Sequence, residues 1–201
     1  MNKIIQSEIK DEVLEKVMLL FWRKGYFNTS IDNIVKETGM SRAVMYKYFK
    51  DKEGLFEAIL NHYINNITSK AVEALKEKGR KLDPIYNFFQ QFGTENHHEM
   101  LQYGCLLLAT ASDYPLHDER IKKIITSTSN NMEELFYNIL LKAKESDVLV
   151  ENIDCKTTAS FLVGSLFGLM ALYRSGSHKL IIDNFIKGIC SYLNTLLKEN
   201  K

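Results

Sequence analysis

Gly39, with Ser30 upstream and Ser41 just downstream, confines this stretch of the chain to two short helices joined by a tight turn. Ser30 is a favoured helix N-cap, Asp32 places negative charge in the first turn, and Ile31, Ile34 and Val35 repeat at helical spacing. The pattern predicts a first helix from about Ile31 to Glu37. Gly39 supplies the turn, Met40 dips back into the core, and Ser41 caps a second helix. Its spacing points Val44, Met45, Tyr48 and Phe49 inward, leaving Arg42, Ala43, Tyr46 and Lys47 outward. Asp51 then caps a third helix with Lys52 in its first turn.

Two helices so joined form a helix-turn-helix, whose second helix enters the DNA major groove with its N-terminal residues against base edges. Arg42 can pair bidentately with a guanine, Ala43 lets the backbone approach, and Tyr46 and Lys47 can reach phosphates or bases further along. Lys52 at a helix N-terminus makes a phosphate clamp. Charge supports this reading locally, not globally. The formal net charge of +1 argues against a protein that coats nucleic acid indiscriminately. Yet Arg23, Lys24, Lys36, Arg42, Lys47, Lys50 and Lys52 face only Asp32, Glu37 and Asp51 across the segment, a local electrostatic footprint.

Gly25, Tyr26, Thr29, Ser30, Gly39, Ser41, Met45, Tyr46, Tyr48, Phe49, Lys52 and Leu55, in that order and spacing, resemble the motif of the TetR family of bacterial transcriptional regulators. The resemblance covers roughly residues 8 to 60, including a preceding helix from Glu8 to Lys24 with Val13, Leu14, Val17, Leu20 and Phe21 as its apolar stripe. It departs at Ala43, where the family commonly has glycine, and at Lys47, often histidine. Beyond residue 60 it rests on length and helical layout. The resemblance implies DNA contacts from Thr29, Ser30, Ser41, Arg42, Ala43, Tyr46, Lys47 and Lys52, and a double-stranded operator as the partner.

The chain of 201 residues, 45% hydrophobic, has room for a small head and a larger helical body. The expected fold is all-α with about nine helices, divided into residues 1–52 for DNA binding and residues 53–201 for effector binding and dimerisation. The third helix is expected to run from Lys52 to about Lys78. Asp83-Pro84 opens a helix through Phe88, Phe89 and Phe92, with Asp83 as its cap, and a shorter one follows from about Met100 to Ser112. A long amphipathic helix spans about His117 to Lys144, Asp154 caps another reaching about Ser175, and the last ends near Lys198. Nothing reads as a strand.

Two of these helices have the pattern of an interface. Phe161 to Tyr173 is apolar on nearly all sides and carries Gly164 and Gly168, where another helix can approach closely; the final helix offers Ile182, Phe185, Ile186, Ile189, Leu193 and Leu196 at three and four spacing. The resemblance implies that these two helices pair with their mates in a four-helix homodimer contact; the alternative is that an all-apolar helix is central to its own domain. Phe89, Tyr103, Phe136 and Met170 are candidates for lining an apolar effector cavity, with ordinary core packing as the competing reading.

His97 and His98 sit in a polar stretch and read as solvated loop residues, not metal ligands. Cys105, Cys155 and Cys190 form no ligand or redox motif, and Cys105 reads as an inert thiol. No carboxylate pair, nucleophile constellation, phosphate loop or metal spacing supports an enzyme, and no cofactor is implied. No apolar run is expected to approach the roughly 20 residues of a membrane span, so the reading is cytoplasmic, with no membrane partner. The expected function is a repressor released from a palindromic operator by an unknown small apolar or amphipathic molecule. The alternative keeps the DNA-binding head but places it under a protein partner or thiol oxidation at Cys105.

Overall fold

The computed structural model describes residues 11–76, 79, 81–94 and 101–198. These contain no strand; one isolated antiparallel bridge joins Leu149 and Leu197. The helices are α1 (Asp11–Lys24), α2 (Ile31–Thr38), α3 (Arg42–Phe49), α4 (Lys52–Tyr63), α5 (Asp83–Gln90), α6 (Leu106–Ala111), α7 (Glu119–Glu145), α8 (Cys155–Arg174) and α9 (Lys179–Thr195). The chain packs as two compact units. One combines the described residues up to Lys70 with Leu106–Ile125, and the other combines those of Ala71–Cys105 with those from Thr126 onward. This division differs from a break after residue 52, because α4 packs on both α1 and α3 and belongs wholly to the first unit.

In the first unit α1 buries Leu14, Val17, Met18, Leu20, Phe21 and Trp22, so its apolar face is wider than the expected stripe. The Phe21 ring lies 4.8 Å from that of Phe56 on α4, and Trp22 meets Tyr63 edge-on at 5.0 Å. Beyond Tyr63 the chain stays helical to Lys76, as expected, but through a π-helical turn (Ile64–Thr68), one α turn (Ser69–Ala71) and a 3-10 segment (Val72–Lys76).

In the second unit α5 starts with Leu82 in the cap position and no side-chain cap bond, so Asp83 lies inside the helix beside Pro84, not at its cap. Phe88, Phe89 and Phe92 are buried as the periodicity requires. Asp154 caps α8 as expected, accepting from the backbone N–H groups of Lys156 and Thr157. Its carboxyl is held below the ordinary range, first by the Thr157 hydroxyl and then by these amides. Contrary to expectation, α8 is long and apolar enough to cross a membrane. In this fold it buries Leu162, Leu166, Leu169 and Tyr173 and packs on α9, which buries Ile182, Ile186, Ile189 and Leu193. His97, His98 and the expected helix start at Met100 lie outside the described residues.

Candidate nucleic-acid interface

Local chemistry builds the two short helices as expected. Ser30 Oγ accepts from the Asn33 amide at 3.1 Å while Asn33 Oδ1 accepts from the Ser30 amide at 3.0 Å, a reciprocal cap that satisfies two N–H groups. Gly39 ends α2 at φ 70°, left-handed backbone that a side chain would strain. Ser41 Oγ accepts from the Val44 amide at 3.2 Å and starts α3. Asp51 Oδ1 accepts from the Gly54 amide at 2.6 Å and starts α4.

Helix α3 rests on its unit by a narrow stripe. Only Met45 and Phe49 are buried and Tyr48 is half-buried, while Arg42, Ala43, Val44, Tyr46 and Lys47 are exposed. Val44 therefore does not point inward as its spacing had implied. Its exposure adds an apolar group to the outward face, able to meet a thymine methyl. Lys47 Nζ donates to the Tyr48 hydroxyl at 2.8 Å, and the Arg42 guanidinium pairs with the Asp32 carboxylate across the turn.

Thr29 is placed differently from what the resemblance implied. It is fully buried, and its hydroxyl donates to the Gly25 carbonyl at 2.8 Å, so it pins the approach to α2 and cannot reach a phosphate. Ser30 and Ser41 stay exposed, with their oxygens used as caps. Lys52 is half-buried with Nζ 4.1 Å from the centre of the Tyr26 ring. Burial pulls its ammonium below the ordinary lysine range. The Tyr26 hydroxyl in turn donates to Glu53, and burial followed by this bond raises its pKa.

Gly54 is a structural requirement the sequence reading did not single out. A Cβ there would come within 2.1 Å of the Phe49 carbonyl oxygen, so only glycine lets the start of α4 pass the end of α3. The Gly-Leu pair at 54–55 gave no signal of this, because the constraint is set by a backbone atom five residues away.

The remaining candidates lie in the second unit. Phe89 and Phe136 are fully buried and stack on each other, centroids 5.9 Å apart and planes 9° from parallel, with Phe88 edge-on to Phe136 at 5.5 Å. Met170 is buried, and half-buried Tyr103 accepts from Arg174 through its backbone carbonyl at 2.9 Å. Gly164 is exposed with open space where a side chain would stand. Gly168 instead faces the ring of Phe185, 3.3 Å from where a Cβ would lie, so its close approach is to α9 of its own chain. Ile189 and Leu193 are buried within their own unit, because the apolar stripe of α9 is satisfied by its own fold; that corrects their reading as surface contacts.

A model of bacterial regulatory proteins of the tetR family matches residues 13–59, and a tetracyclin repressor-like C-terminal domain model matches residues 81–189. The chain belongs to the TetR family. Among relatives of this TetR-family chain is the HTH-type transcriptional repressor ComR of Escherichia coli (strain K12), 24% identical over 84% of this chain and 80% of its own length. An uncharacterised HTH-type transcriptional regulator of Bacillus subtilis (strain 168), YezE, is 25% identical over 78% of this chain and 81% of its own. The fold is shared with the TetR-family regulator CifR, solved with a 26-base-pair operator duplex, at a TM-score of 0.78 and 19% identity, covering 92% of this chain and 96% of that one. The protein is thus a DNA-binding transcriptional regulator, not an enzyme.

Proposed function

We propose that this TetR-family regulator is a repressor that binds a palindromic operator as a homodimer and is released by a small apolar or amphipathic effector. The observation that carries the reading is helix α3. It buries only Met45 and Phe49 and leaves Arg42, Ala43, Val44, Tyr46 and Lys47 exposed on the face that would enter a groove. A single eight-residue reading helix contacts few base pairs, so useful specificity needs a second copy on a related half-site. The homodimer contact we assign to the outward faces of α8 and α9, where Phe161, Gly164, Leu180, Ile181 and Gly188 are exposed. A regulator of this kind works where the chromosome is, in the bacterial cytoplasm.

An effector can lower operator affinity only by binding more tightly to the form that does not fit DNA, and the coupling is reciprocal. Phe89, Tyr103, Phe136 and Met170 are the residues we assign to it, with the Phe89 and Phe136 rings in offset parallel contact. Protection mapping on the DNA flanking the protein's own gene tests the core of the reading. We expect two protected half-sites with centres about 34–36 Å apart, one helical turn, or a multiple of that spacing. Absence of any protected site would overturn it. Calorimetry of an effector with and without operator tests release, and equal affinities in the two titrations would remove that step.

A further inference from the structure

Arg42 does not stand free at the start of the reading helix. Its guanidinium is paired with the carboxylate of Asp32 on α2, and both side chains remain mostly exposed, 62% and 71%. Asp32 belongs to the first turn of α2, where the helix dipole favours its negative charge, so its carboxylate is a charged acceptor at the pH of DNA binding. We propose that Asp32 is a positioning residue for specificity: it holds Arg42 in the orientation that reads a base and denies it to the phosphate backbone. The inference rests on the DNA-binding reading above.

The physical argument has two parts. A guanidinium has five N–H donors in a rigid fork. The pair engages one terminal nitrogen, leaving donors elsewhere on the fork for a guanine edge while restricting the rotamers of a long side chain. An ordered arginine loses less freedom when it docks on its base, whereas an unpaired one can swing to whichever phosphate is nearest. The carboxylate also acts directly. On DNA without the matching base, an Asp32 brought up against phosphates is repelled with no compensating base contact. On the operator, Arg42 stays between the carboxylate and the DNA. Both effects weaken non-specific binding more than specific binding, and specificity is that ratio.

Asp32 is one of three acidic residues, with Glu37 and Asp51, in a segment of net positive charge. Exposed ion pairs contribute little to stability, about 0–1 kcal/mol, so pairing with Arg42 adds little to folding beyond the helix-dipole effect of Asp32. Glu37, the other carboxylate of α2, lies at the opposite end of that helix.

The test uses the full chain, with duplexes enriched by the wild-type protein from a randomised pool and the unselected pool as comparison. Asp32→Ala should bind the unselected pool roughly 3- to 10-fold more tightly, change affinity for the enriched duplex less than about threefold, and steepen the salt dependence of pool binding by about one unit of slope per head, one added phosphate contact. Asp32→Asn, which keeps an acceptor without the charge, should fall between. In an Arg42→Ala background, Asp32→Ala should leave the ratio of the two affinities unchanged. Equal tightening on both DNAs would overturn the proposal, since it would show only the loss of a negative charge, and so would the same change of ratio without Arg42. If the wild-type chain enriches no sequence at all, the DNA-binding reading itself fails, and the proposal with it.

Discussion

Nδ1 of His117 lies 3.6 Å from Oε1 of Glu53, a distance for charge attraction and too long for a good hydrogen bond. The imidazole is fully enclosed, with the rings of Tyr26, Phe27 and Phe56 at 5.1, 5.2 and 5.7 Å, and neither of its nitrogens has a hydrogen-bond partner among the described residues. Glu53 meanwhile accepts from the Tyr26 hydroxyl and lies 3.4 Å from the Asp118 amide, so one carboxylate ties α4 to the turn before α2 and to the approach to α7. A buried polar group left unsatisfied costs about 1–3 kcal/mol. His117→Phe keeps a flat ring in the aromatic stack and removes that cost, so we expect a stability gain of about 1 kcal/mol in urea titration. An unchanged or lower unfolding midpoint would overturn this expectation.

Gly54→Ala should be disproportionately damaging. Alanine ordinarily strengthens a helix, yet here the added methyl meets the Phe49 carbonyl oxygen at 2.1 Å, a backbone atom that can move only with the end of α3. We expect a loss of about 1–3 kcal/mol, as for overpacked cores, together with weakened DNA binding because the reading helix shifts. Urea unfolding followed by a gel shift checks both, and an unchanged midpoint would show that the turn absorbs the methyl.

The elements visible in the sequence were those set by neighbours a few residues away. Ser30, Gly39, Ser41 and Asp51 act through their own backbone, so the caps and the turn are found where the residue types place them. The misread positions depend on distant atoms. Val44 has the spacing of a core residue, but α3 touches its unit along a stripe too narrow to include it. Thr29 is the exception, a local one: its hydroxyl, fit for a phosphate, is taken by the Gly25 carbonyl four residues back. Ile189 and Leu193 form an apolar stripe that a mate or the chain's own core could equally cover, and periodicity contains nothing that chooses between them.

Arg42 and Lys52 should separate two kinds of DNA contact. Arg42→Ala, at the exposed start of α3, is expected to weaken operator binding by about 1–3 kcal/mol and relax preference at one base pair per half-site. Lys52→Ala should weaken all DNA alike and lower the salt slope by about one per head. Lys52 sits over the Tyr26 ring, so the same variant should also lose that contact, with a small fall in stability. Titrations at several salt concentrations on operator and scrambled duplex distinguish the two. Uniform weakening by Arg42→Ala would make it a phosphate contact, and an unchanged slope would take Lys52 out of the footprint.

The proposed homodimer contact can be tested with two glycines one helical turn apart on α8 that face different neighbours. At Gly164 a side chain meets nothing of its own chain within 4 Å, whereas at Gly168 it runs into the Phe185 ring. If the outward face of α8 packs on a second copy, Gly164→Leu should overpack that contact by about 1–3 kcal/mol and yield a monomer that retains its helical content. Gly168→Leu should instead separate α8 from α9 within one chain, lowering the unfolding midpoint before it changes the oligomeric state. Light scattering read beside circular dichroism resolves the pair of outcomes. A Gly164→Leu protein that stays fully dimeric at dilution would move the contact off this face, to a surface that does not include Phe161 or Gly164.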